Sequence, residues 1–145
     1  MAALSEDVFR YFGLGCRNVS KVFVPVDFVT DRIFQAFFRW KDIAHHAKYA
    51  NNLDYHRALW LLDREPFLEN GFLLLRETTA LASPVAVLHL ERYTDRHVLR
   101  TRLAELADQV QCVVGHDAVP FGAAQRPGPA DYADGVDTVA FLLSL

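Results

Sequence analysis

The sequence predicts an α/β domain with a mostly parallel sheet flanked by helices, and three observations carry that prediction. Apolar runs of strand length recur along the chain, at "KVFVP", "FLLLR" and "VAVLHLE". Segments with apolar residues at helical spacing separate them. Strands alternating with helices argue for parallel pairing, with the helices laid on the sheet. At 145 residues, 52% of them hydrophobic and 23% charged, the chain fits a single domain, residues 1–145, with a core of its own.

The elements follow in order. Ser5 is placed to cap a short helix that includes Val8, Phe9 and Phe12, and Gly13 or Gly15 to end it. Val22, Phe23 and Val24 read as a buried strand stopped by Pro25. From Thr30 onward Ile33, Phe34, Phe37 and Phe38 recur at helical spacing, which predicts a helix to about His46. A second helix is expected near Asp54 to Asp63, with Ala58, Leu59 and Leu62 on one side. Asn70-Gly71 is a turn signal leading into a strand from Phe72 to Arg76. After Ser83-Pro84, "VAVLHLE" predicts another strand, and Thr94 then caps a helix with an apolar stripe of Val98, Leu99, Leu103, Leu106 and Val110. "QCVV" reads as a short buried strand and "VDTVAFLLSL" as a last one. Between them, "GHDAVPFGAAQRPGPADYADG" is long for a connection, which points to function or partner contact.

Composition narrows the function classes. A formal net charge of -3 gives no bulk electrostatic reason to expect nucleic acid or an acidic membrane as partner. No apolar run approaches a membrane span, and "MAALSEDVFR" lacks the basic and apolar regions of a secretory signal. Two cysteines without such a signal predict a cytoplasmic setting and no disulfide framework. No metal is expected: His45 and His46 are neighbours in a helix and point about 100° apart, and no Cys or acidic partner stands at zinc-site spacing. Asp131, Asp134 and Asp137 lack the spacing of a calcium loop and suit turns and caps around Gly135. His89 and His116 are candidate general acids that nothing local singles out.

The stretch "YFGLGCRNVSKVFVP" places Cys16 at a helix-to-strand junction behind two glycines. A thiol acts as a nucleophile when its thiolate is favoured by an electropositive, accessible setting. Arg17 and Lys21 are nearby cations along the chain, and the glycines let a substrate approach closely. The alternative is a small buried hydrophobe, the ordinary fate of a free cysteine. The residues alone leave both open at Cys16, while Cys112 in "VQCVV" reads as core.

As motifs, the same residues resemble the aldehyde dehydrogenase superfamily. Gly13, Cys16, Lys21, Val22, Phe23, Val24 and Pro25 fill the places of its nucleophile segment, a Gly-x-x-Cys run followed by a basic residue and a strand ending near proline. "NGFLLLRETTALASPVAVLHLE" and "VPFGAAQRPGPADYADGVDTVAFLL" are similar to its later landmarks, in the same order. Within the superfamily, "YFGLGCRNVSKVFVP", "NGFLLLRE", "SPVAVL", "FGAAQ" and "DYADGVDT" resemble the long-chain acyl-CoA reductase (LuxC) family.

The resemblance implies the fold of the superfamily's catalytic domain and an NADPH-dependent reduction of a fatty acyl-CoA, or another acyl thioester, to the aldehyde. Cys16 would be the nucleophile that carries the acyl group, and its backbone N–H would help hold the oxyanion. The superfamily's cofactor-binding glutamate usually lies four residues before the proline of its Pro-Val pair. Ala80 holds that place here, and Glu77, seven residues before Pro84, becomes the candidate for the nicotinamide-ribose contact. A dinucleotide-binding half precedes the cysteine in such enzymes, so the chain is expected to be the C-terminal, thiol-bearing portion. It would pair with that half or with further copies of itself. The aromatic run Phe34, Phe37, Phe38 and Trp40 is then either plain core or the lining of an acyl channel.

Overall fold

Strand-length apolar runs find each other in a four-stranded sheet of order β1-β4-β3-β2. The strands are β1 (Lys21–Pro25), β2 (Leu68–Glu69), β3 (Leu74–Glu77) and β4 (Val87–Tyr93). β4 lies at the centre and runs parallel to both β1 and β3, with Lys21 opposite His89 and Leu75 opposite Leu88. The short β2 joins β3 antiparallel. The computed structural model describes residues 1–145, the side chain of Asp134 excepted. The α/β class with a mostly parallel sheet is therefore observed. Leu73, Leu74, Leu75, Val87, Leu88 and Leu90 are all buried, the near-continuous apolar run that parallel strands covered on both faces require.

The helices are α1 (Leu4–Phe9), α2 (Asp31–Phe37), α3 (Ala47–Asp63), α4 (Arg96–Glu105) and α5 (Thr138–Leu143). A 3-10 stretch, Phe38–His45, carries α2 on towards α3. The core gathers around Phe9, whose ring meets Phe37 edge-on at 5.5 Å, stacks on Trp40 at 5.6 Å and touches Phe72 at 5.9 Å. Ile33 and Phe37 are fully buried against it. The aromatic run therefore divides: Phe37 is core, Trp40 packs against it, and Phe38 is exposed.

Several local expectations change. Ser5 does not cap α1 but lies inside it, fully buried. Its hydroxyl donates to the Ala2 carbonyl at 2.6 Å and accepts from Trp40 Nε1–H at 3.0 Å. Phe12 falls outside α1 and is exposed. His46 has extended backbone at the junction before α3, so His45 and His46 do not share a helix. α3 starts there rather than at Asp54. The strand expected from Phe72 begins at Leu74, because the Asn70 side chain accepts from the N–H of both Phe72 and Leu73 and holds them in the turn. Asp95, not Thr94, caps α4, accepting from His97 N–H at 2.7 Å, and Val98 points outward.

"QCVV" forms no strand: a groove separates it from the outer edge of β1, and only Val114 makes an isolated bridge, to Val119. The final run is α5, not a strand, because the Asp137 carboxylate accepts from Ala140 N–H at 2.9 Å and caps a helix. No helix among the described residues is long and apolar enough to cross a membrane.

His89 gives the fold a pH signature. It is buried in β4, and its Nδ1 lies 3.1 Å from the Ala80 carbonyl. A carbonyl only accepts, so Nδ1 carries the proton and Nε2 is bare. Burial holds its pKa below the ordinary histidine value, aided by the Lys21 and Arg76 charges and opposed by the Ala80 hydrogen bond. The unfolded chain then binds a proton that the native state refuses. Stability is complete above about pH 6.5 and falls as pH drops from there through the lower folded pKa. Urea unfolding at pH 7.5 and 5.5 should show this loss, and His89→Gln should flatten it; an unchanged slope in the variant would refute the assignment.

Candidate functional site

Cys16 sits on a tight turn whose geometry is set by Asn18. The Asn18 N–H donates to the Gly15 carbonyl at 2.9 Å, and the Asn18 side-chain oxygen accepts from Gly15 N–H at 2.6 Å. The Asn18 amide nitrogen donates to the carbonyls of Asp7 and Arg10 at 2.8 and 2.9 Å. A Cβ on Gly15 would stand 2.6 Å from the Asn18 side-chain oxygen, so only glycine lets the turn close this tightly. Just upstream Tyr11 and Phe12 both adopt left-handed backbone, at φ of 56° and 60°, which costs on the order of 1 kcal/mol each. The Asn18 bonds hold the chain there against that strain.

A second clamp comes from α1. The Asp7 side chain is buried and accepts from Gly122 N–H at 2.6 Å and Ala124 N–H at 2.9 Å. The Asp7 carbonyl also accepts from Val19 N–H at 2.9 Å. Arg17 Nε donates to the Ala124 carbonyl at 2.6 Å. Gly122 has φ of 88° and lies against Ala3, a conformation that favours glycine. The "FGAAQ" segment of the long loop is thereby fixed beside the Cys16 turn. The loop's length pointed to function or partner contact; what is observed here is a contact within the chain.

The turn opens onto a groove of ≈ 780 Å³. β1 and the Cys16 turn form one wall. Leu99 and Leu103 of α4, with Leu106 and Val110, form another, and Phe28 and Ile33 lie along it. Cys16 is exposed here, and Cys112 lines the same groove with its Sγ 3.8 Å from the Arg17 carbonyl. Burial pushes the Cys112 thiol up, the Arg17 charge opposes this, and Asp7 and Asp131 add to it. Cys112 is therefore a half-buried, protonated thiol at a site wall, not the deep core residue expected.

The cations near Cys16 in sequence are engaged elsewhere. Lys21 is buried, pairs with the Glu91 carboxylate and donates to the Thr79 carbonyl at 2.8 Å. Arg17 is committed to Ala124, with Asp131 at 3.8 Å. His89 lies in the sheet and does not line the groove. His116 does line it, exposed and 2.9 Å from Asp117, a hydrogen bond that holds the Asp117 carboxyl below its usual range. Asp131 accepts from Gly128 N–H and Asp137 caps α5, both turn-and-cap roles. The Asp134 side chain lies outside the described residues. No group of three or more His, Cys, Asp or Glu among the described residues is placed to hold a metal ion.

Glu77 is not brought to Cys16. It ends β3, exposed, with its carboxylate 3.2 Å from Arg92 Nε, and it does not line the groove. Cys16 lies off the opposite, amino end of β1. Glu77 and Cys16 therefore stand at opposite ends of the parallel strands. Compared with protein-family models, curated proteins and solved structures, the chain matches none.

Asp7 and Asn18 are the site residues that pattern reading missed. Each looks like an ordinary polar residue, one in a helix and one in a loop. The available signal was local: Asn18 follows Gly15 at the spacing of a side-chain-closed turn.

Proposed function

We propose that Cys16 accepts an acyl group from a long-chain acyl thioester such as a fatty acyl-CoA. On this reading the chain is the thiol-bearing portion of an NADPH-dependent acyl-CoA reductase of the LuxC type. The observation that carries the reading is an exposed thiol on a doubly braced turn, opening onto a large groove lined in part by apolar side chains. Bracing matters because attack requires the sulfur to be held in place rather than swung through solvent. As central residues of the turn, Cys16 and Arg17 have N–H groups outside its Gly15–Asn18 hydrogen bond. These are donors suited to the oxygen of a tetrahedral intermediate. The Cys16 thiolate attacks the thioester carbonyl, the bond to the CoA sulfur breaks, and the CoA thiolate leaves and takes a proton. NADPH supplies the hydride of the overall reaction the resemblance implies, and no residue here is assigned to it.

A second reading, a non-catalytic interaction domain, draws on the exposed apolar residues Leu61 and Leu62 of α3 and Phe141 and Leu143 of α5. Exposed apolar side chains on either helix could each meet a partner.

Intact-mass analysis after incubation with a long-chain acyl-CoA separates the two. An acyl adduct is expected on the native chain and on Cys112→Ala, and none on Cys16→Ala. An adduct that persists in Cys16→Ala would overturn the assignment, and a folded chain with no adduct would favour the interaction domain.

A further inference from the structure

We propose that Cys16 and Cys112 form a modification site, closing to an intramolecular disulfide when Cys16 is oxidised by a hydroperoxide. The inference goes beyond the acyl-transfer reading and does not depend on it. It starts from the convergence of both cysteines of the chain on one groove. Cys112 Sγ rests 3.8 Å from the carbonyl oxygen of Arg17, the residue directly after Cys16, although 96 positions separate the two thiols. The fold thus sets the Cys112 sulfur against the backbone of the turn that carries Cys16.

The two thiols differ in the way a reacting pair requires. Cys16 is exposed and meets a dissolved oxidant first, and Cys112 is half-buried behind it. Burial keeps Cys112 protonated, so it waits as a thiol until an electrophilic sulfur is presented. The Arg17 charge, which acts on Cys112 in the opposite sense, favours the thiolate at the moment of attack.

The chemistry balances without any further redox partner. The Cys16 thiolate attacks one peroxide oxygen, the O–O bond breaks, and hydroxide or alkoxide leaves, giving the sulfenic acid. The Cys112 sulfur then attacks the Cys16 sulfur, the S–O bond breaks, and water leaves with the Cys112 proton. Two thiols are oxidised and one peroxide is reduced. A disulfide needs Cα atoms within about 7 Å and sulfurs at about 2 Å, so the Cys112 side must close on the braced Cys16 turn. Cys112 lies in irregular backbone between the Ala107–Gln109 turn and the Val114 bridge, held in no strand.

The disulfide would remove the groove's nucleophile reversibly and shield it from irreversible over-oxidation. The test uses the reduced full chain, with equimolar hydrogen peroxide, alkylation of remaining thiols, and intact and peptide mass analysis. The expected product is monomeric and about two mass units lighter, with a linked Cys16–Cys112 peptide that dithiothreitol reverses. In Cys112→Ser, Cys16 should instead pass to the sulfinic acid, at least tenfold more than in the native chain. Circular dichroism checks that both proteins are folded. Sulfinic acid on Cys16 with Cys112 still free to alkylate would overturn the proposal, as would linkage only between chains.

Discussion

Asp7→Ala should lower stability by about 4 kcal/mol, because two amides lose the carboxylate acceptor of a fully buried side chain. The Asp7 side chain is fully buried and takes both Gly122 N–H and Ala124 N–H. At about 3 °C per kcal/mol for a domain of this size, the melting midpoint should drop by roughly 12 °C. Asn in the same place should recover only part of this, since its oxygen serves one amide while its NH2 faces the other. Amide exchange at Gly122 and Ala124 should quicken in both variants well beyond the rise across the sheet. A midpoint within about 3 °C of the native value would show that the clamp contributes little.

Phe37→Ala should cost about 4 kcal/mol, the usual loss for a buried phenylalanine whose neighbours cannot collapse into the space. Phe37 is fully buried and meets Phe9 edge-on. Phe38→Ala should stay within about 0.5 kcal/mol of native, since its ring is 59% exposed, with Lys41 above it. Urea unfolding of the two variants gives the comparison. Near-native stability in Phe37→Ala, with an altered preference for acyl chain length, would return Phe37 to the role of channel wall. The groove beside Cys16, lined by Leu99, Leu103 and Phe28, is the better-placed apolar trench.

What the sequence made legible follows the strength of its periodic signals. "KVFVP" and "VAVLHLE" have few ways to satisfy their apolar side chains and became β1 and β4, with ends displaced by a residue or two. Phe34, Phe37 and Phe38 announced a helix, but α2 ends at Phe37 and the rest of the expected span is a 3-10 stretch. "QCVV" and "VAFLL" failed for a shared reason: a short apolar run is compatible with strand, helix or loop, and neighbours decide. Asp137 decided for a helix at one, and the gap beside β1 left the other unpaired. Cap residues were misjudged by one or two positions at Ser5 and Thr94, where several polar residues compete for the same amides. Of the candidate site, Cys16 stood out by the glycines before it and the "FGAAQ" segment by the length of its loop. Their joining through Asp7 was not legible, because a hydrogen bond between distant residues leaves no periodic trace.

That joining also sets the order in which the molecule can be finished. The partners of Asp7 at Gly122 and Ala124 lie 115 and 117 residues after it in the chain. During synthesis the sheet and its helices can collapse while the thiol turn still lacks its second brace. Contacts of such long separation close late, since the loop entropy must be met before they contribute. A nascent chain released before residue 124 would therefore carry a folded sheet with an unfinished cysteine turn, so that the turn around Cys16 matures only once residues 122 and 124 have arrived.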